Sequence, residues 1–269
     1  MTRQLWSFVV IAFKSGIRDR VLQAILGVGV LLLISIPVVA VFSMRQVLAL
    51  AVSYSLSVVS LLGLLLTVFL AAGVLSRDLE RRTIYTVCSL PLSRSVYLVG
   101  RFLGFALLLL FALAILSGLT AIAIFILDLA YPPDVPFSWW NFCLALWFQY
   151  WIFVIVGAFI IALSAFATST FLPLALSVAV YFASFSTEAV KYYTESGLGR
   201  VQTAPIIRWL AHVAYWLLPN FSAFDLKAQA IYSLPLDQRA LWLTQLYGVG
   251  YLAVLLVLAT MIFSRREFL

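Results

Sequence analysis

Residues 46–76 read QVLALAVSYSLSVVSLLGLLLTVFLAAGVLS, a stretch with no Asp, Glu, Lys or Arg. An α-helix rises 1.5 Å per residue, so about 20 apolar residues cross a hydrocarbon core about 30 Å thick. This stretch is long enough to span. Four others also lack charge: 21–44, 102–127, 135–187 and 240–264. The run 135–187 has room for two crossings, with a break near Ala167-Thr168-Ser169-Thr170 and Pro173. The apolar runs are continuous and do not alternate with period two. Helices therefore win over a closed barrel, the other architecture a bilayer permits. The expected fold is all-α and polytopic, with spans near 21–43, 49–75, 102–127, 142–166, 171–187 and 240–263. A single transmembrane domain over 1–269 accommodates them.

Composition agrees. The chain is 65% hydrophobic and 10% charged, with a mean hydropathy of +1.12, where a soluble chain carries roughly 25% charged residues. The net charge of +7 reads as cytoplasmic loops and anionic-lipid contact, not as nucleic-acid binding. Two cysteines and one histidine do not make a recognisable metal site. Cys88 and Cys143 fall on opposite sides of the expected membrane, so no disulfide is expected between them. No basic tip followed by an apolar core marks a cleavable signal peptide.

Charge sets the orientation. Arg3, Lys14, Arg18, Arg20, Arg77, Arg81, Arg82, Arg94, Arg101, Arg265 and Arg266 share one side if there are six spans. That side is the cytoplasm by the positive-inside rule, and both termini lie there. The N-terminal segment 1–20 carries Leu5, Phe8, Val9, Ala12, Phe13 and Gly16 on one helical face and Arg3, Ser7, Lys14 and Arg18 on the other. It is an interfacial helix, either a plain anchor or an elbow that also touches a cytoplasmic partner. Segment 188–239 is extracytoplasmic. Pro205–Leu218 is too short to span and reads as a re-entrant or interfacial helix. Phe221, Phe224, Leu226 and Ile231 point to a second short helix packed on the membrane surface, with Asp225, Lys227, Asp237 and Arg239 as solvated charges.

The loop 76–98 is the sharpest local signal. It opens with the mixed-charge run Arg77-Asp78-Leu79-Glu80-Arg81-Arg82, followed by Ile84, Val87 and Cys88 as apolar knobs. Pro91 ends helical geometry and Ser93 can cap a new helix. A short helix–turn–helix at the cytoplasmic surface results. It serves either as a positive-inside loop alone or as a docking surface for another protein.

Glu80, Thr83, Leu90-Pro91-Leu92-Ser93-Arg94, Tyr97, Gly100 and Arg101 resemble the loop pattern of the ABC transporter type-2 permease family. Two positions depart from it: Arg82 stands where glycine is common, and Arg101 replaces a lysine. The six-span plan, the elbow, the short helices before the last span and the Ser264-Arg265-Arg266-Glu267-Phe268 tail are similar to that family across the chain. The resemblance implies the membrane subunit of an exporter in the plasma (bacterial inner) membrane. A second permease chain, identical or different, would complete the path. Two separate ATPase subunits, carrying ATP and Mg, would drive it. It also implies that Arg77, Asp78, Glu80, Arg81, Arg82, Thr83 and Tyr85 form the coupling helix that docks the ATPase.

What is missing narrows the classes further. No Gly-x-x-x-x-Gly-Lys-Ser/Thr phosphate loop occurs, so no such ATP site is expected here and no cofactor is assigned to this chain. No Gly-x-Ser-x-Gly elbow or His-Glu-x-x-His occurs, and His212 reads as structural. Asp128 is the one acid near an expected span; intramembrane acids usually mark ion paths, so a proton-coupled carrier is disfavoured. Ser53, Ser57 and Ser60 share a helical face, with Thr67 farther along. They serve helix packing or line the translocation path or a dimer seam. The rival class is a membrane scaffold that uses the loop to hold a partner without transport.

Overall fold

The computed structural model describes residues 2–42, 46–80, 94–131, 136–165, 167, 169, 171–195 and 205–265. Among these the chain is helical, with no strand. In order come α1 (Thr2–Ile17), α2 (Arg20–Ile34), α3 (Ile36–Val41), α4 (Val47–Glu80), α5 (Arg94–Ala130), α6 (Trp139–Ser164) and α7 (Phe171–Glu195). Then follow α8 (Pro205–Leu217), a 3₁₀ turn (Phe221–Phe224), α9 (Lys227–Ile231) and α10 (Gln238–Arg265). Six segments are long and apolar enough to span: Arg20–Val41, Val47–Val74, Ser95–Ala130, Trp139–Ser164, Phe171–Thr194 and Gln238–Ser264. The protein is an all-α, multi-pass membrane protein.

The first span is broken. Pro37 sits in the first turn of α3 and has no N–H to give to the carbonyl four residues back, so the helix is interrupted at Ser35. The Ser35 hydroxyl lies 2.6 Å from Leu32 O and 2.9 Å from the Tyr54 hydroxyl. The break is thereby stitched to the second span, and α2 and α3 both pack on α4.

The fourth span is the axis of the bundle. Of its most apolar window 67% is buried, against 22% for the first, fifth and sixth spans. Helices α4, α5, α7 and α10 all pack against α6. Lipid tails are as apolar as leucine, so close packing and internal hydrogen bonds hold such a bundle together more than water exclusion does. Gly63 shows how tight the α4–α6 seam is: a Cβ there would sit 2.2 Å from the Phe153 ring.

The apolar stripe of α1 packs on α5, with Val9 3% exposed and Phe8 edge-on to Tyr97 at 5.5 Å. Trp6 and Ile11 remain exposed on the other side. Gly104 permits the approach, since a Cβ there would meet Ala12 Cβ at 2.5 Å and Val9 O at 3.1 Å.

Two sequence expectations change beyond the sixth tenth of the chain. The fifth span was expected to stop at 187, yet α7 runs to Glu195. Charges at its far end have partners, so they do not stop the helix. Lys191 Nζ lies 3.9 Å from the centre of the Tyr215 ring, and Asn220 Nδ2 donates to Glu188 Oε2 at 3.3 Å. The second change concerns residues 219–236. They pack among the helices of the bundle. Phe221 and Phe224 are 0% and 1% exposed, wedged between α6 and α7, and α9 packs on α4 and α6.

Gly104→Leu should lift α1 off α5. An overpacked site of this kind costs about 1–3 kcal/mol. Thermal unfolding of the purified protein should show a lower Tm, whereas Gly118→Leu, where a Cβ meets nothing within 4 Å, should leave it unchanged.

Candidate functional site

Helix α4 does not end where the membrane does. It continues through Arg77, Asp78 and Glu80, and the next helix begins at Arg94. No proline interrupts 47–80, so the span propagates into the charged run without a break. The expected separate loop helix is therefore, over Arg77–Glu80, an extension of the second span. Arg81, Arg82, Thr83 and Tyr85 lie outside the described residues, as does the Leu90–Ser93 part of the loop. At 34 and 37 residues, α4 and α5 are about 50 and 55 Å long, well beyond the hydrocarbon core.

The four hydroxyl residues of α4 part company. Thr67 is 0% exposed and donates to Gly63 O at 2.7 Å, so it belongs to the packed interior of the chain. Ser57 is exposed and donates back to Ser53 O at 2.8 Å, Ser53 being half-buried. Leu61, Leu65 and Phe69 continue the Ser57 face as exposed apolar side chains. Ser60 turns inward and accepts from Gln149 Nε2 of α6.

Ser60 opens onto a narrow crevice lined also by Gln149, Tyr181, Phe224, Asp225 and Lys227. Ser60 lies 13 residues past Val47, and Tyr181 lies 10 past Phe171, which puts both about 15–20 Å along their spans. Asp225 and Lys227, read from the sequence as solvated charges, are half-buried and face that crevice. The turn brings this acid and base against Ser60 of α4 and Tyr181 of α7. Asp128, the acid singled out from the sequence, is half-buried near the end of α5.

A sequence reading had little chance of finding this site, because the two charges stand in a polar segment outside every apolar run. The usable signal was Phe221 and Phe224 just ahead of Asp225, a pair too apolar for an exposed loop.

The turn is held by named contacts at its edges. Asn141, 7% exposed, donates through Nδ2 to Leu234 O at 2.8 Å and Gln229 O at 3.1 Å. Ser222 Oγ donates to Phe185 O at 2.9 Å. The Tyr251 hydroxyl donates to Leu217 O at 2.8 Å. Tyr181, Phe185 and Phe221 form one aromatic cluster, with centroids 5.2 to 6.1 Å apart.

A family model described as "ABC-2 family transporter protein" matches residues 13–268. The chain belongs to the ABC-2 transporter family. No curated protein matches it. ABC-2 chains are membrane components of transporters and imply a partnership with ABC ATPase subunits. In this ABC-2 protein the loop between α4 and α5 stands at the end of two helices longer than the membrane is thick, and the polar crevice lies within one chain, under the re-entrant turn. Among the described residues no group of three or more His, Cys, Asp or Glu is placed to hold a metal ion.

Asn141→Leu keeps the volume and removes both side-chain donors from the Gln229 and Leu234 carbonyls. A loss of about 1–3 kcal/mol per carbonyl is the expected scale. Tm should fall, and amide hydrogen exchange should accelerate across 225–234 while α4 and α6 keep their protection.

Proposed function

We propose that this ABC-2 chain is the permease subunit of an ATP-driven exporter. Two permease chains form the path. Separate ATPase subunits dock on the loop that begins at Arg77 and includes Asp78, Glu80, Arg81, Arg82, Thr83 and Tyr85. The observation that carries the reading is the family match over 13–268. The geometry is compatible with it: α4 and α5 are both longer than the hydrocarbon core is thick, and the charged run starting at Arg77 lies beyond the apolar span Val47–Val74. The positive-inside count places that end, and both termini, in the cytoplasm. The exposed Ser57–Phe69 face of α4 is the surface proposed for the seam between permease chains or for the path, with Ser53 beside it. Few charged groups face that surface, which favours an amphipathic or apolar cargo.

Glu80→Lys reverses a charge in the docking loop without touching the spans. Affinity for the ATPase should fall about tenfold, the equivalent of about 1.4 kcal/mol. Ile84→Pro should have a similar or larger effect through the backbone. Co-purification of the ATPase and substrate-stimulated hydrolysis measure both. Unchanged stoichiometry and hydrolysis in both variants would sink the docking assignment.

A further inference from the structure

The crevice beneath the re-entrant turn holds a buried acceptor that no protein group satisfies. Gln149 is 6% exposed. Its Nε2 donates to Ser60 Oγ and, at 3.5 Å, to Leu56 O. The Leu56 carbonyl fixes the amide, because the flipped amide would set two acceptor oxygens against each other. Gln149 Oε1 is therefore a buried acceptor with no protein donor. Asp225 Oδ1 accepts from Lys227 N at 3.2 Å, and Tyr181, 9% exposed, lines the same crevice. Ser60, Gln149, Tyr181, Asp225 and Lys227 share one lining.

That chemistry selects its ligand. An anion would meet Asp225 and the buried Gln149 oxygen. A divalent cation such as Ca²⁺ prefers several carboxylates, and this lining offers one. The crevice is narrow, with room for about one water-sized group. We propose that it binds a monovalent cation of that size on the Asp225 carboxylate, Gln149 Oε1, the Tyr181 hydroxyl and Ser60 Oγ. K⁺, NH₄⁺ and the ammonium end of an organic amine share this chemistry. Lys227 is the built-in competitor. Its side chain is half-buried, and its flexible four-carbon stem can withdraw the ammonium toward water when another cation enters. The site lies within one chain and does not depend on ATP coupling.

The full chain in neutral-lipid nanodiscs provides the test. Its Tm is followed against rising KCl, NH₄Cl or n-butylammonium chloride, with N-methylglucamine chloride holding ionic strength constant. A saturable rise specific to the small cations is expected. Asp225→Asn should abolish it, and Gln149→Leu should weaken the apparent affinity about tenfold. Lys227→Met should strengthen it about tenfold, a result that a purely structural lysine would not give. Lys227→Gln serves if the Met variant does not fold. A response to K⁺ and NH₄⁺ alone assigns an inorganic ion, and an equal response to n-butylammonium assigns an amine end group. The proposal fails if wild type and the Lys227 variants melt alike in all salts, or if Asp225→Asn responds as wild type does; either result would mean that the crevice holds water only.

Discussion

In hydrocarbon a polar group has only the rest of the protein to bond with, and this requirement governs how residues 205–237 are arranged. Helices answer it for their own backbone. A turn that dips between helices must be answered by side chains. Here Asn141 covers Gln229 O and Leu234 O, and Ser222 ties the turn to Phe185 O. The Tyr251 hydroxyl donates to the last carbonyl of α8, Leu217 O. Phe221 and Phe224 fill the space between α6 and α7 and exclude lipid from it. Without these partners the segment would have to return to the membrane surface, where water can solvate it.

Once the turn is anchored, charge placement follows. Asp225 and Lys227 flank the buried Leu226, so seating that leucine brings both charges into the bundle. The crevice they line reaches α4 through Ser60 and α6 through Gln149. The helix that forms the bundle's axis therefore also carries the buried amide of the polar site. Movement of α6 relative to α4 would be felt there, since the Gln149 amide joins the two helices at that level through Ser60 Oγ and Leu56 O.

The apolar runs, the elbow and the amphipathic α8 were legible because each is written in local periodicity. The loop was legible as a charge pattern, and its resemblance to type-2 permeases agrees with the family to which the chain belongs. Other features were hidden. The serine face of α4 reads as one stripe, yet Thr67 packs inside while Ser57 faces out, because neighbouring helices cover only part of a face. Asp225 and Lys227 read as solvated because nothing local says that their segment turns inward. The extent of α7 was missed for a similar reason: Lys191 and Glu188 read as the end of a span, and only their contacts with Tyr215 and Asn220 explain why the helix continues.

The sequence by itself determined the solvent, the secondary structure and the number of crossings. Transfer free energy and helix geometry act on each run separately, so no distant residue is needed to read them. Only the tertiary structure decided which helix forms the axis, where the break before Pro37 fastens to the second span, and that a polar segment folds back to carry opposite charges into the bundle. Those outcomes depend on partners 19 to 95 positions apart, such as Ser35 with Tyr54, Asn141 with Leu234 and Ser138 with Ser233. The energy of such pairs exists only after the helices have assembled, so no local window contains it.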